Sequence, residues 1–354
     1  MRLRAIARIA RSCTAFPKFR DFTYPCSDLP PGQIAGYSPA NLSRIMAGSR
    51  IRISELTKAL RITTFHGPYP ERLIAGLSRG ISLARWLLFF DHVSRCERRI
   101  VQLLRRKNQN WLLDVHDIPH LQQQYFGVPV LPRVKEEFVS FARECDLLLF
   151  PSNSLAQMFE EKCKGDSSAL SIVIPNAANP RRFAPTPMPE RRIFSYIGGY
   201  APSRGLDLLV RSFRILRKRY DDAWLWIATP SLLPASIAKE ERVVTLTDIF
   251  YDRDSPDLFR QTYAFVIPHL KNPYMDAATP IKLFEAMASA RPIISTDCCE
   301  TSRIIKTEAC GIVVPEDESA LAEAMHNLAN DRASAEKMGR KGREAIEARH
   351  SWEH

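Results

Sequence analysis

The sequence predicts an α/β chain of two domains, each built on a parallel sheet. Three observations carry that prediction. Downstream of residue 110, short apolar runs alternate with stretches of helical spacing, the order expected when strands are joined by helical crossovers. The chain has 354 residues, enough to bury two cores of ordinary size. Between Pro175 and Pro189 the sequence turns rich in proline, asparagine and arginine, which marks a boundary between the two.

In chain order, residues 1–55 form a basic segment set apart from both domains. Residues 1–54 hold nine Lys/Arg against Asp21 and Asp28. The first sixteen residues alternate basic with small apolar side chains and contain no acid. That composition fits a transit-like peptide, a surface helix on anionic lipid, or a frayed terminus without a role. Pro25, Pro30, Pro31, Gly32, Gly36 and Pro39 predict a loop over 25–40. The apolar run Leu60–Phe65 ends in His66-Gly67-Pro68-Tyr69-Pro70, either a loop at a cleft or an ordinary turn. From Ser78 to Lys107, Leu83, Trp86, Leu87, Phe90, Val93, Ile100, Val101 and Leu104 interleave with eight basic residues and predict a helix. Such a helix either lies on an anionic membrane surface or turns its stripe to a core beneath a solvated basic back. Its most apolar run, Trp86–Phe90, is far too short to cross a bilayer.

Strands are then predicted at Trp111–Val115, Leu147–Phe150, Ile172–Ile174, Ile193–Ile197, Trp224–Ala228, Val243–Leu246, Ala264–Ile267, Ile293–Ser295 and Ile312–Val314. The resulting domains are 56–178 and 191–354, joined by a linker at 179–190. Parallel sheets of this kind take ligands at the carboxyl ends of their strands, so a cleft between the two domains is the expected site.

The formal net charge of +11 raises the question of nucleic acid, but no zinc-finger spacing or recognition module accompanies it. Eight cysteines without a CxxC pair read as reduced thiols in a cytoplasmic protein. His116 and His120 have the spacing of a helical zinc pair, yet Pro119 lies between them and no third ligand is evident, so no metal is expected.

Residues 279–297 are the most informative stretch. Thr279-Pro280 reads as an N-cap followed by proline at the first helical position, and Leu283, Phe284, Met287 and Ala288 repeat at helical spacing. Arg291-Pro292 ends the helix and Ile293–Thr296 follows as a buried strand. A helix N-terminus offers unpaired N–H groups and the positive end of its dipole to an anion. Lys282 adds a full charge there, and Glu285 one turn on is placed to accept from sugar hydroxyls.

This segment resembles the signature of retaining GT-B glycosyltransferases of family 4 (group 1 glycosyltransferases). Two glutamates separated by seven residues are usual in that signature. Glu285 matches the second, while the first falls on Ala277, with Asp276 beside it. Residues 196–210 resemble the family's first strand, loop and helix of the nucleotide-binding half, with Gly198 and Gly199 as a permissive turn and Arg204-Gly205 in place of the usual Lys-Gly. The family's second basic residue falls on Gly199, a charge that Lys282 would supply instead. Residues 172–183 resemble the crossing segment through Pro175-Asn176 and Phe183, with Asn179 where an aspartate is usual. The resemblance covers roughly residues 110–354 and fades before them. Arg303 stands at a position usually acidic.

The resemblance implies two Rossmann-like domains facing across a cleft. It also implies transfer of a sugar from a nucleoside-diphosphate sugar to a glycan or lipid-linked acceptor, with retention and without metal or resident cofactor. Arg204 and Lys282 would hold the diphosphate and Glu285 the ribose. Asp276 and the Ala277–Thr279 backbone would meet the donor sugar, with Gly198, Gly199, Tyr200 and Pro280 lining the donor site and His116 on the acceptor side. Asp252-Arg253-Asp254 has the spacing of the metal-binding aspartates of the other large glycosyltransferase fold, but it lies in a solvated loop leading to a helix. The location implied is cytoplasmic or peripheral on the membrane. A nucleotide-sugar epimerase of the same architecture and a non-catalytic relative stand as alternatives.

Overall fold

The computed structural model describes residues 52–56, 86–90, 102, 109–127, 129–164, 169–247 and 254–353, and the backbone of 34–38, 63–66 and 251–253. The chain forms two compact units. The first comprises residues 1–123, 129–175 and 353–354, and the second comprises 124–128 and 176–352.

The first unit holds six parallel strands: β1 (Ile34–Ser38), β2 (Thr63–His66), β3 (Trp86–Phe89), β4 (Asn110–Asp114), β5 (Leu147–Phe150) and β6 (Leu170–Val173). They lie in the order β2-β1-β3-β4-β5-β6. Helices α1 (Pro119–Tyr125), α2 (Pro132–Ala142) and α3 (Asn153–Phe159) follow β4 and β5. Ser152 caps α3 by accepting from the Leu155 amide at 3.0 Å.

Three expectations change here. Within the helix predicted over 78–107, residues 86–89 form a strand instead, paired with β1 and β4. Trp86, Leu87, Leu88, Phe89 and Phe90 are all buried. A run of apolar residues without a charge suits a strand covered on both faces, and helical spacing cannot distinguish the two over so short a window. Trp86 and Phe90, the aromatic residues of the predicted stripe, are therefore core residues, and Phe89 beside them packs edge-on to Trp111 and Phe141 at 5.5 and 4.9 Å. Apart from Gln102, the rest of 78–107 beyond these residues lies outside those described, as do the first sixteen residues and the loop 67–70. The loop expected at 25–40 contains β1. The basic segment is also not separate from the domain: Arg52 is solvent-excluded and bound to Asp114 at the end of β4.

The second unit holds β7 (Ile193–Ile197), β8 (Trp224–Ala228), β9 (Val243–Leu246), β10 (Ala264–Ile267), β11 (Ile293–Thr296) and β12 (Gly311–Val314). Its helices are α4 (Leu206–Arg217), α5 (Ala235–Ala238), α6 (Tyr251–Gln261), α7 (Pro273–Ala277), α8 (Ile281–Ala288), α9 (Cys299–Glu308), α10 (Glu318–Asn330) and α11 (Arg332–Ala345). Residues 252–254 sit in the first turn of α6 rather than in a loop before it. The parallel sheet runs β12-β11-β10-β7-β8-β9. In sequence order within the unit this is the doubly wound order 3-2-1-4-5-6, whose direction of winding reverses between β7 and β10. Leu206, Leu209, Phe213 and Leu216 of α4 pack with Leu321, Met325 and Leu328 of α10 in one core. Leu283, Phe284 and Met287 of α8 pack with Phe259, Ile305 and Ile346 in another.

The stretch expected as a linker, 179–190, is fastened to the second unit by three arginines. Arg291 donates to the carbonyls of Thr186 and Pro187, Arg343 to those of Pro180 and Phe183, and Arg332 to those of Met188 and Pro189. Every one of these acceptors is a backbone oxygen in a proline-rich segment that has no sheet or helix to satisfy it.

Candidate active site

The loop after β7 carries the first group of predicted residues. Pro202–Arg204 form a single 3-10 turn, and Gly205 caps α4 at φ +67. A Cβ on Gly205 would stand 1.7 Å from the carbonyl oxygen of Pro268, so both the dihedral and the space demand glycine. The permissive turn expected at Gly198 and Gly199 is thus made by Gly205; neither of the other two has positive φ. Gly198 is small for a different reason, since a Cβ there would meet the Tyr196 hydroxyl at 2.6 Å. That hydroxyl donates to the Gly199 carbonyl at 2.8 Å, and the Tyr200 amide donates to Ser231 Oγ at 3.0 Å. The Tyr196 phenol is pushed up to about 12 by burial, so it stays a donor.

The loop after β10 meets this one. Leu270 donates its amide to Ser203 O at 2.9 Å, and Arg204 Nη1 lies 3.1 Å from His269 Nε2. His269 is 3 % exposed. Burial first, then the positive charges of Arg204 and Lys282, hold its imidazole well below the usual histidine range, so the ring is neutral. A guanidinium only donates, which makes Nε2 the acceptor and puts the ring proton on Nδ1. Arg204 is half-buried, forms no ion pair among the described residues, and lies over the ring of Phe126, 5.1 Å from its centroid within the second unit. Sequence reasoning missed His269. Its signal was the position two residues after the apolar run 264–267, at the carboxyl end of a strand.

Helix α8 supplies the next group. Its N-cap is Pro280 rather than Thr279, one residue later than expected. Thr279 is buried; its carbonyl accepts from Asn176 Nδ2 at 2.7 Å, while its hydroxyl finds no partner among the described residues. Lys282 is half-buried in the first turn, close enough to His269 to help depress its pKa. Glu285 is 1 % exposed, and burial, opposed by the charge of Arg182, pushes its carboxyl up to about 8.

Asp276 and Ala277 belong to the short helix α7. Asp276 Oδ1 accepts from the Cys299 amide at 2.9 Å and so caps α9, and Ala277 is buried. Arg303 pairs with Glu300 on α9. His116 belongs to the first unit, just after β4, with Nδ1 3.9 Å from Asp114 Oδ2. His120 is a core residue of that unit, its imidazole lowered to about 4 by burial and its Nε2 3.7 Å from Cys163 Sγ. No group of three metal-ligating side chains occurs among the described residues, and no helix there is long and apolar enough to cross a membrane.

Arg204 and His269 therefore meet where β7 and β10 end, at the reversal point of the sheet, with Lys282 of α8 near enough for its charge to act on the imidazole. That is the place where open α/β sheets bind ligands. Two cationic side chains thus act on one neutral imidazole.

Residues 191–331 match the family model for glycosyl transferases group 1. The Bacillus subtilis (strain 168) protein named "Putative glycosyltransferase YtcC" is 24 % identical over 180 residues, 47 % of this chain. The match spans 43 % of that curated relative's length. Sucrose-phosphate synthase from Thermosynechococcus elongatus superposes with a TM-score of 0.69 at 17 % identity, covering 91 % of this chain and 96 % of that one. Anabaena HepE, solved in complex with UDP and glucose, gives 0.67 at 12 % identity over 90 % and 96 %. The chain thus has the two Rossmann-like domains of the GT-B fold, and its residues 191–331 are similar to group 1 glycosyl transferases.

Proposed function

We propose that this protein transfers a sugar from a nucleoside-diphosphate sugar to a glycan or lipid-linked acceptor, with retention at the anomeric carbon. The observation that carries this reading is the contact of Arg204 with His269 at the ends of β7 and β10, with Lys282 in the first turn of α8. A diphosphate leaving group develops negative charge as the glycosidic bond breaks. Preorganised cations and a helix N-terminus stabilise that charge without reorganising. Arg204 forks onto diphosphate oxygens, and Lys282 acts as a point charge at the start of α8. With charge stabilised in this way, no metal is needed for departure. The acceptor hydroxyl attacks from the face the diphosphate leaves, and a phosphate oxygen takes its proton, so no carboxylate base is required.

Glu285 serves the ribose, the Ala277–Thr279 backbone and Asp276 the sugar, Gly198, Gly199, Tyr200 and Pro280 the rest of the donor, and His116 the acceptor. The crystal structures of HepE in complex with UDP and glucose and with UDP-glucose support a nucleotide-sugar as donor. The enzyme works on the cytoplasmic side.

A thermal-shift screen against nucleoside diphosphates and their sugars tests the reading, repeated on Arg204→Ala and Glu285→Ala. A ligand that binds only the folded state raises Tm by mass action. One nucleotide should stabilise the wild type and neither variant. Folded protein that no nucleotide stabilises would be a non-catalytic relative, and the proposal would fall.

A further inference from the structure

We propose that His269 is a positioning residue for the donor site: its neutral ring accepts from Arg204 Nη1 and fixes the guanidinium so that its other N–H groups face the diphosphate. The inference rests on the diphosphate reading above and adds to it a residue that acts only through Arg204.

Three observations carry it. The first is geometric. The Arg204–His269 contact of 3.1 Å is one of several ties between the same two loops. Leu270 N donates to Ser203 O at 2.9 Å, and Gly205 leaves no room for a side chain against Pro268 O. The imidazole is 3 % exposed, and its own backbone carbonyl accepts from the hydroxyl of Thr296 on β11. The ring is therefore a fixed point to which a long, rotatable arginine is tied.

The second is chemical. The usual way to orient an arginine is a carboxylate, but a carboxylate would neutralise the cation and compete with the phosphates for its fork. A neutral imidazole nitrogen takes one N–H and leaves the charge and the remaining donors in place.

The third is an orphan. With Nε2 accepting, the proton lies on Nδ1, which is buried and finds no partner among the described residues. A buried unpaired donor is unfavourable. An apolar side chain of similar size would avoid it, so packing alone gives no reason for histidine here.

The test measures Kd by titration calorimetry for UDP, GDP, ADP and CDP on the full chain. The variants are His269→Leu, His269→Asn, His269→Gln and Arg204→Ala, with the double variant Arg204→Ala/His269→Leu. Far-UV dichroism and Tm establish folding. Loss of one hydrogen bond to a charged group predicts that His269→Leu weakens the nucleotide the wild type takes about tenfold to a hundredfold. His269→Gln, whose amide oxygen reaches the Nε2 position, should recover most of that. In the Arg204→Ala background His269→Leu should cost nothing further, the mark of a residue acting through its partner. Equal Kd for wild type and His269→Leu overturns the proposal, as does an equal loss with and without Arg204. If His269→Leu does not fold, the comparison passes to His269→Asn, too short to reach Nη1, against His269→Gln; equal affinity of these two overturns it. Wild type that binds none of the four removes the diphosphate reading itself, and this inference with it.

Discussion

Arg52 holds Asp114 with no solvent between them: Nε lies 2.9 Å from both carboxylate oxygens and Nη2 lies 2.7 Å from Oδ1. Nη1 goes on to the carbonyl of Ile174 at 2.9 Å, beside the last strand of the same sheet. A pair buried this deeply is costly to break one-sidedly, because the survivor keeps an uncompensated charge. Arg52→Ala should therefore destabilise the first unit by about 3–5 kcal/mol. The double variant Arg52→Met/Asp114→Leu should be less destabilised than either Arg52→Ala or Asp114→Ala. Guanidinium unfolding midpoints of the four proteins check the order.

Arg291 is a second buried cation, and no carboxylate answers it among the described residues. Nε donates to Phe259 O at 2.9 Å, and the two Nη groups reach Thr186 O, Thr186 Oγ1, Pro187 O and Arg260 O between 2.6 and 3.3 Å. Burial lowers its pKa to about 10, so it remains charged at neutral pH. Arg291→Met should lower stability by about 2–4 kcal/mol through the orphaned acceptors. It should also speed proteolytic cleavage within 180–189, read by mass spectrometry of limited digests. Arg291→Lys should fall between, since an ammonium cannot fork over that spread of oxygens.

Gly205→Ala meets two penalties at once. The φ of +67 disfavours any side chain, and the added methyl group would overlap Pro268 O. The sum is about 3 kcal/mol. Scanning calorimetry should show the fall in Tm, whereas Gly199→Ala, whose Cβ would meet Ser231 Oγ at an ordinary 3.7 Å, should leave it nearly unchanged.

Glu285 makes stability depend on pH in a defined window. Its carboxyl is raised from 4.5 to about 8, so between those values the folded state holds a proton that the unfolded state has released. Stability relative to Glu285→Gln is full below about pH 4.5, falls as pH rises through about 8, and is level above it. Urea titrations of both proteins from pH 5 to 9 measure the difference; parallel curves would mean the carboxyl is not protonated in the fold.

The core strands of the second unit were legible because each is a short apolar run closed by turn residues. Ile193–Ile197, Trp224–Ala228, Val243–Leu246 and Ala264–Ile267 fall where the sequence predicts them. β3 was not, because Trp86–Phe89 lies inside a longer stretch whose spacing imitates a helix and whose arginines suggest a surface. Lys282 and Glu285 stand out in the sequence through a local pattern around a helix start, and Arg204 through the resemblance of its loop. His269 does not, because nothing adjacent to it in sequence announces a partner 65 residues away.

The sequence by itself determined the alternation of strands and helices and the change of composition that begins near Pro175. These follow from local spacing, turn chemistry and charge. Only the tertiary structure decided that Arg52 is a core residue, that Gly205 is the glycine the turn cannot lose, and that a buried histidine stands behind Arg204. Those depend on which carbonyl, carboxylate or ring is brought within 3 Å or so by the winding of the sheet. Contacts between residues distant in the chain leave no periodic trace in it.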